Sequence, residues 1–270
     1  MVDIIIIGGG PAGLSAGISA KQRNNNTLII TGDIKKNKLY KAARVDNYPG
    51  FPGISGAELL VKLTDHARDA GVDMITGKVS NILQTDDAFH VAYDNEIQMA
   101  KSIIIATGLS HGSLFPGEED FLGRGVSYCA TCDGMLFREK RVCVVCISAD
   151  ANDEADYLAS LGCDILRITS RNIRINGDTK VVSLTVDGID VPCDGVFIFR
   201  DAIAPHLLLP GLETNGAYIK VTPAGETNIP GVYAAGDCVG APHQISKAVG
   251  EGLVAALTAS EYIRMQKNKS

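Results

Sequence analysis

Near its start the chain carries an unbroken apolar run, Ile4 to Ile7, that leads straight into Gly8-Gly9-Gly10-Pro11-Ala12-Gly13. A run without alternation suits a parallel strand buried on both faces, so the pattern predicts strand, glycine turn and helix in succession. Leu14 to Lys21 has small residues at Ala16, Gly17 and Ala20, which let a helix lie close to a sheet, and Thr27 to Thr31 resumes an apolar strand. Together these segments make a βαβ unit. Polar, lysine-rich residues fill Asp33 to Asp46, and the prolines and glycines of Asn47 to Gly53 predict a loop. Leu59, Leu60, Leu63 and Ala67 are spaced for an amphipathic helix within Gly56 to Gly71. Val79 to Ala92 alternates as antiparallel strands do, and Ser102 to Ala106 is another buried strand, ending at Thr107-Gly108.

Between Leu109 and Gly125 the composition shifts to Gly, Pro, Glu and Asp, as at a crossing between domains, and the boundary is expected near Gly112. Arg141 to Ile147, Asn152 to Leu161 and Asp164 to Thr169 then repeat strand, helix and strand. Val196 to Phe199 is a further strand, followed by a second crossing at Ala204-Pro205. Gly231 to Asp237 reads as strand and turn, and His243 to Met265 as a closing helix. The expected fold class is α/β, with two Rossmann-like three-layer domains, the second smaller and inserted in the first. Residues 1–111 and 204–270 form the dinucleotide-binding domain, and 112–203 the insertion.

Composition narrows the class. With 46% hydrophobic and 21% charged residues, the chain has too little polar excess for general disorder. Its apolar runs fall far short of the roughly 20 residues a bilayer span needs. The first residues also lack a basic signal-peptide start, so a soluble cytoplasmic protein is expected, with no membrane partner. A net charge of -6 repels nucleic acid and anionic lipid. Against that field, Lys35, Lys36, Lys38, Lys41 and Arg44 gather five positive charges, which suit either an acidic docking partner or a plain solvated loop. Seven cysteines, an odd count, argue for thiols kept reduced or used chemically rather than a secreted disulfide framework. Glycine, 29 of 270 residues, exceeds its usual share of about 7% and falls in clusters, as close backbone approach to a ligand requires.

Gly8-x-Gly10-x-x-Gly13 permits a tight turn, approach of the backbone to a pyrophosphate at a helix N-terminus, and close helix packing; Gly17 extends that packing surface. Because the motif follows a buried strand, dinucleotide binding outweighs a merely structural turn. Asp33 has the separation expected of an acidic ribose partner but falls near the strand end. Gly236-Asp237 puts a carboxylate at a strand end, where it can accept ribityl hydroxyls, and the helix after Pro242 aims its N-terminus at a flavin ring. The two motifs together favour FAD over NAD. Cys129-Ala130-Thr131-Cys132-Asp133 pairs two thiols able to close a reducible disulfide with a carboxylate able to move a proton. Metal ligation and inert thiols are the alternatives. Zinc needs four ligands, and Cys143 and Cys146 lie three apart on a predicted strand, facing opposite sides. Cys143, Cys146, Cys163 and Cys193 read as core residues. Cys238 is assigned no chemistry, and His243 reads equally as a flavin-side contact or a helix-start residue.

Taken jointly, Gly8 to Gly17, the Tyr48 to Gly56 loop, Ala106-Thr107-Gly108, Cys129 to Asp133 and Gly231 to Gly252 resemble the low-molecular-weight thioredoxin reductase family. The resemblance implies a homodimeric FAD enzyme bearing its disulfide on the inserted domain. Cys132 would take electrons from the flavin, Cys129 would exchange with the thioredoxin disulfide, and Asp133 would act as acid and base. Gly8, Gly10, Pro11, Ala12, Gly13, Asn47, Ala106, Thr107, Gly108, Gly236, Asp237, Gln244 and Ile245 would hold FAD. The chain departs from that pattern in the insertion. Members that use a pyridine nucleotide carry a second glycine turn after the strand equivalent to Val142 to Val145, then a basic cluster for the 2'-phosphate. Here Cys146-Ile147-Ser148-Ala149-Asp150-Ala151 stands in its place, Asp150 and Asp153 bring negative charge, and the basic cluster shrinks to Ser170 to Arg174 before the chain passes quickly to Asp194. This is similar to the ferredoxin-dependent flavin thioredoxin reductases. Ferredoxin is therefore the expected donor and thioredoxin the expected acceptor. An NADPH-dependent thioredoxin reductase, a FAD-dependent dithiol oxidase using oxygen and a non-catalytic flavin-binding regulator are the competing readings.

Overall fold

The computed structural model describes residues 1–94, 96–108, 114–148, 151–200 and 204–268. In it the first apolar run becomes β1 (Val2–Ile7), whose Ile4, Ile5 and Ile6 are wholly buried. Each such side chain stabilises the fold by about 1.5–3 kcal/mol relative to exposure. The chain continues through α1 (Pro11–Lys21), β2 (Thr27–Thr31), α2 (Gly56–Asp69), β3 (Asp73–Thr76), β4 (Val79–Gln84), β5 (Phe89–Tyr93) and β6 (Glu96–Ile105). Ser55 and Glu58 close a reciprocal capping box at the start of α2. A second stretch holds β7 (Val126–Ser127), α3 (Ala130–Asp133), β8 (Arg141–Cys146), α4 (Ala151–Ser160) and β9 (Asp164–Ile168). It goes on through β10 (Ile173–Gly177), β11 (Val181–Val186), β12 (Ile189–Pro192) and β13 (Gly195–Phe199). The remainder contains α5 (Pro205–Leu208), β14 (Thr214–Asn215), β15 (Tyr218–Ile219), β16 (Val232–Ala234) and α6 (Ile245–Lys267).

Two compact units result: Met1–Ser110 with Ala204–Ser270, and His111–Ile203. Gly112, where the boundary is expected, lies outside the described residues. In the first unit β3, β2, β1 and β6 are parallel neighbours. Strand β6 is shared: its first half pairs antiparallel with β5, which pairs with β4, and its last residues, Ile103 to Ile105, pair in parallel with β16. Helices α1 and α6 pack closely because small residues let them. A Cβ on Gly252 would stand 2.1 Å from the Ala12 carbonyl oxygen, and one on Gly17 would stand 2.9 Å from Ile29 Cδ1 on β2. The second unit has a parallel sheet in the order β7-β13-β8-β9, with β8, α4 and β9 as its βαβ motif. Both units are Rossmann-like, the fold class expected from the pattern.

Two expectations need correction. The insertion does not pass quickly from Arg174 to Asp194, because β10, β11 and β12 form an antiparallel sheet there. Its hairpin turn, Asp187-Gly188, has both residues at positive φ, 50° and 84°, as the twist of a two-residue turn demands. The closing helix begins at Ile245 rather than His243. Gln244 N donates back to Pro242 O at 3.0 Å, leaving Gln244 extended as the N-cap. Among the described residues no helix is long and apolar enough to cross a membrane.

Candidate functional site

The glycine loop at the end of β1 is shaped by close approach. Gly8 has φ +114°, and a Cβ there would stand 2.3 Å from Ala106 O; on Gly13 it would stand 1.9 Å from Gly8 O. The loop therefore folds only with hydrogen at these positions. At Gly10 the nearest atom to such a Cβ is Asn37 Nδ2 at 3.4 Å, so this residue opens outward. Gly10 is also the N-cap of α1, with no side-chain cap, and Pro11 takes the first helical position. The N–H groups of Ala12 and Gly13 are thus left to an anion, the arrangement that receives a pyrophosphate. Gly9 N is engaged by Thr31 Oγ1 at 3.0 Å, which ties the loop to β2. Beside it, Thr107 Oγ1 is buried without a hydrogen-bond partner among the described residues, and Gly108 has φ +70°. An orphaned hydroxyl beside an uncapped helix N-terminus fits a bound dinucleotide.

A second turn completes this cradle. Gly236, at φ +88°, follows β16 and precedes Asp237, which is half-buried. Gly236 N donates to Glu251 Oε2 at 2.9 Å. Lys247 Nζ donates to Glu251 Oε2 and Gly240 O, each at 2.9 Å, and to Gly236 O at 3.4 Å. Two residues of α6, neither singled out in the sequence, therefore clamp the Asp237 turn from both ends. Their i, i+4 spacing was the available signal. Asn47 and Gln244, 197 positions apart, meet through a 2.6 Å bond from Asn47 Nδ2 to Gln244 Oε1, and Ile245 opens α6 beside them. Asp33 lies past the end of β2, and its carboxylate accepts from Lys35 N at 2.9 Å, capping a short turn. His243 is exposed, its Nε2 3.4 Å from Tyr218 Oη.

In the second unit Cys129 and Cys132 form a disulfide. Cys129 is the N-cap of α3: its Sγ accepts from Cys132 N at 3.1 Å and stands 3.4 Å from Thr131 Oγ1. Cys132 is exposed and Cys129 half-buried. Ser127 Oγ donates to Asp133 Oδ2 at 2.7 Å, so the sequence motif arrives with its carboxylate already held. Tyr128, next to Cys129, donates its hydroxyl to Glu118 Oε1 at 2.8 Å. Burial, and then the adjacent Glu118 carboxylate, push the Tyr128 phenol above its usual range, so it stays a neutral donor. Glu118 is fully buried and pairs bidentately with Arg200, both distances 2.7 Å, while Phe115 N donates to its Oε2 at 2.8 Å. Arg200 Nε is buried without a partner among the described residues. Nothing local marks Glu118 and Arg200 as partners, since they are 82 positions apart.

At the end of β8 the sequence carries no second glycine turn. Ile147 N and Ser148 N both donate to Phe199 O, at 3.0 and 2.9 Å. Helix α4 follows with Asp153 and Glu154 in its first turn. Asp150 lies outside the described residues. Arg174 belongs to β10 and is exposed, and Ser170 Oγ donates to Asp187 Oδ1 at 3.0 Å. Of the four cysteines expected in the core, Cys143, Cys163 and Cys193 are buried, whereas Cys146, the last residue of β8, is only half-buried; Cys238 is buried as well. No group of three or more potential metal ligands occurs among the described residues.

Over residues 2–174 and 166–252 the chain matches the pyridine nucleotide-disulphide oxidoreductase family. It is 32% identical over 303 residues to a thioredoxin reductase from Listeria innocua, covering 98% of this chain and 95% of that one. A thioredoxin reductase from Treponema pallidum is 33% identical over 302 residues, covering 98% of each chain. Among solved structures, a ferredoxin-flavin thioredoxin reductase from Clostridium acetobutylicum superposes with a TM-score of 0.85 at 39% identity, covering 98% of each chain.

Proposed function

Because this chain belongs to the pyridine nucleotide-disulphide oxidoreductase family, as a FAD-binding, thioredoxin reductase-like disulfide reductase, we propose that it takes electrons from reduced ferredoxin and delivers them through Cys129 and Cys132 to thioredoxin. The observation that carries the choice of donor is the turn at the end of β8, where Ile147 stands at the position that Gly8 takes after β1. A pyridine nucleotide site needs a glycine there for the tight turn, as Gly8 at φ +114° supplies after β1, whereas Ile147 brings a branched side chain to that position. Asp153 and Glu154 add negative charge at the helix start that would face a phosphate. The likeness to a solved ferredoxin-flavin thioredoxin reductase supports the same reading.

Ala12 and Gly13 would receive the FAD pyrophosphate at the α1 N-terminus. Thr107 and Asp237 would supply polar contacts, and Asn47, Gln244 and Ile245 would border the cofactor. When bound, FAD can take electrons singly from an iron-sulfur donor and release a pair to a disulfide. In the reduced dithiol, a Cys129 thiolate attacks one sulfur of the thioredoxin disulfide. That S–S bond breaks, and the departing thioredoxin sulfur takes a proton. Cys132 then attacks the mixed disulfide, restoring the Cys129–Cys132 bond and releasing the second thioredoxin thiol, so two electrons pass to thioredoxin in each cycle. Asp133 would carry the proton between sulfurs.

Anaerobic mixing with reduced ferredoxin should bleach the flavin at turnover rates, while NADPH and NADH should not. Bleaching by sub-millimolar NADPH at those rates would restore the pyridine-nucleotide enzyme, and rapid oxygen uptake with dithiols would favour an oxidase. Cys129→Ser and Cys132→Ser should each abolish thioredoxin reduction while retaining FAD. The Cys129→Ser protein should show a long-wavelength thiolate-flavin band that Cys132→Ser lacks.

A further inference from the structure

We propose that Ser127 is a positioning residue for proton transfer at the disulfide: its hydroxyl orients the Asp133 carboxyl group and fastens it to the peptide of Cys129. The proposal rests on the reading of Asp133 as the acid. Ser127 is 3% exposed and ends β7, where it pairs in parallel with Phe197 of β13, so its backbone is fixed independently of the disulfide segment. Three polar atoms surround Ser127 Oγ: Asp133 Oδ2 at 2.7 Å, Cys129 N at 3.1 Å and Cys129 O at 3.3 Å.

A hydroxyl has one proton to give. The distance to Asp133 is that of a short O–H···O bond, whereas 3.3 Å to the Cys129 carbonyl is long for one. The proton therefore goes to Asp133, and a lone pair of Ser127 Oγ accepts the Cys129 N–H. One buried atom thus joins the acid to the backbone of the first cysteine.

The bond to Cys129 N alone would be an ordinary serine turn, in which a side-chain oxygen accepts from the peptide two residues on. Such a turn makes no use of a carboxylate at position 133. The bond to Asp133 adds a function the turn does not require, since it restrains a half-buried side chain that would otherwise rotate about two bonds. Restraint matters because proton transfer needs the acid within hydrogen-bond reach of the sulfur that leaves.

The step is simplest with dithiothreitol as reductant. Its thiolate bonds to one sulfur of the Cys129–Cys132 bridge, and the bridge S–S bond breaks. The other cysteine sulfur leaves with the electron pair and takes the proton of the Asp133 carboxyl group, whose Oδ2 accepts the Ser127 O–H before and after the transfer. Ring closure of the dithiothreitol disulfide releases the second cysteine thiol, leaving the protein reduced by two electrons and the reagent oxidised by two.

The test is a double-mutant cycle on the FAD-loaded full chain, with Ser127→Ala, Asp133→Asn and the pair. Two rates are read: steady-state thioredoxin reduction with reduced ferredoxin, and reduction of Cys129–Cys132 by dithiothreitol, followed by quenched alkylation. Ser127→Ala should lower kcat and the dithiothreitol rate by about tenfold, equivalent to about 1.4 kcal/mol, and leave the KM for thioredoxin within about twofold. In the Asp133→Asn background the same change should cost less than about twofold, because the group it serves has lost its proton. Equal losses in both backgrounds, or a loss confined to KM, would overturn the proposal and reduce Ser127 to a turn residue. If Asp133→Asn alone matches the unsubstituted protein in both assays, the reading of Asp133 as the acid fails, and the role of Ser127 falls with it. The dithiothreitol measurement requires no flavin reduction, so it discriminates even if Ser127→Ala loads FAD poorly.

Discussion

Seven cysteines share this chain, and burial sorts them by chemistry. Cys132 is exposed at the disulfide, whereas Cys238 is 1% exposed directly after Asp237. Burial pushes the Cys238 thiol up to about 12. Burial likewise raises Cys163, which packs against α4. A thiol reacts as its thiolate, so neither is nucleophilic near neutral pH. Brief iodoacetamide treatment of the reduced protein at pH 8 should label Cys129 and Cys132 and leave Cys163 and Cys238 unmodified until the fold is denatured. Mass spectrometry of the labelled peptides checks this, and native labelling of Cys238 would contradict its burial. At the same scale, Gly8 and Gly13 are necessary because any Cβ there would overlap backbone oxygen.

At the scale of elements, α6 does two jobs. Its inner face, with Ala248, Gly252, Ala255, Ala256 and Ala259 buried, is narrow enough to lie against α1, and its first two turns supply Lys247 and Glu251 to the Asp237 turn. The Lys247 ammonium has three donors, and the three acceptors around it are Glu251 Oε2, Gly240 O and Gly236 O. The turn is therefore shaped before the cofactor arrives. Lys247→Met keeps the apolar stem and removes all three bonds, so FAD affinity should fall by about tenfold, or about 1.4 kcal/mol. Titration of FAD-free protein with FAD, followed by flavin fluorescence, reads that loss. Dithiothreitol reduction of Cys129–Cys132 should be unchanged, and unchanged FAD affinity would show that the turn holds its shape without the clamp.

Across the whole molecule, the net charge of -6 opposes association with an acidic protein unless charge is locally reversed. The stretch from Lys35 to Arg44 provides the reversal, with Lys35, Lys36, Lys38, Lys41 and Arg44 all exposed, though Arg44 is paired to Asp46 at 2.8 Å. It also flanks the glycine loop, since Asn37 is the residue nearest to the open side of Gly10. An acidic electron donor drawn to these lysines would arrive beside the dinucleotide cradle. Lys35→Glu combined with Lys41→Glu should slow flavin reduction by ferredoxin by about tenfold at low salt, and the difference should shrink as salt screens the charges. Stopped-flow rates across a salt series test this. A rate indifferent to both substitutions would leave the stretch as a solvated loop.

Local pattern alone determined much of this architecture. The run Ile4 to Ile7, the glycines after it and the spacing of Leu59, Leu60, Leu63 and Ala67 each encode their element within a few residues, because strand burial, tight turns and helical faces are short-range properties. Cys129, Cys132 and Asp133 were legible for the same reason, as was the loss of glycine at Ile147. The β10 to β12 sheet was legible in part, since Ile173-Arg174-Ile175-Asn176 alternates and Asp187-Gly188 carries the hairpin signal, whereas β11, Val181 to Val186, alternates only weakly. Other features only the tertiary structure could decide. Glu118 meets Arg200 across 82 positions, Asn47 meets Gln244 across 197, and Ser127 reaches Asp133 only because β7 and α3 turn back on one another. Such pairs depend on where distant backbone segments cross, and a side chain's type and spacing carry no record of which remote partner the fold will bring within hydrogen-bond reach.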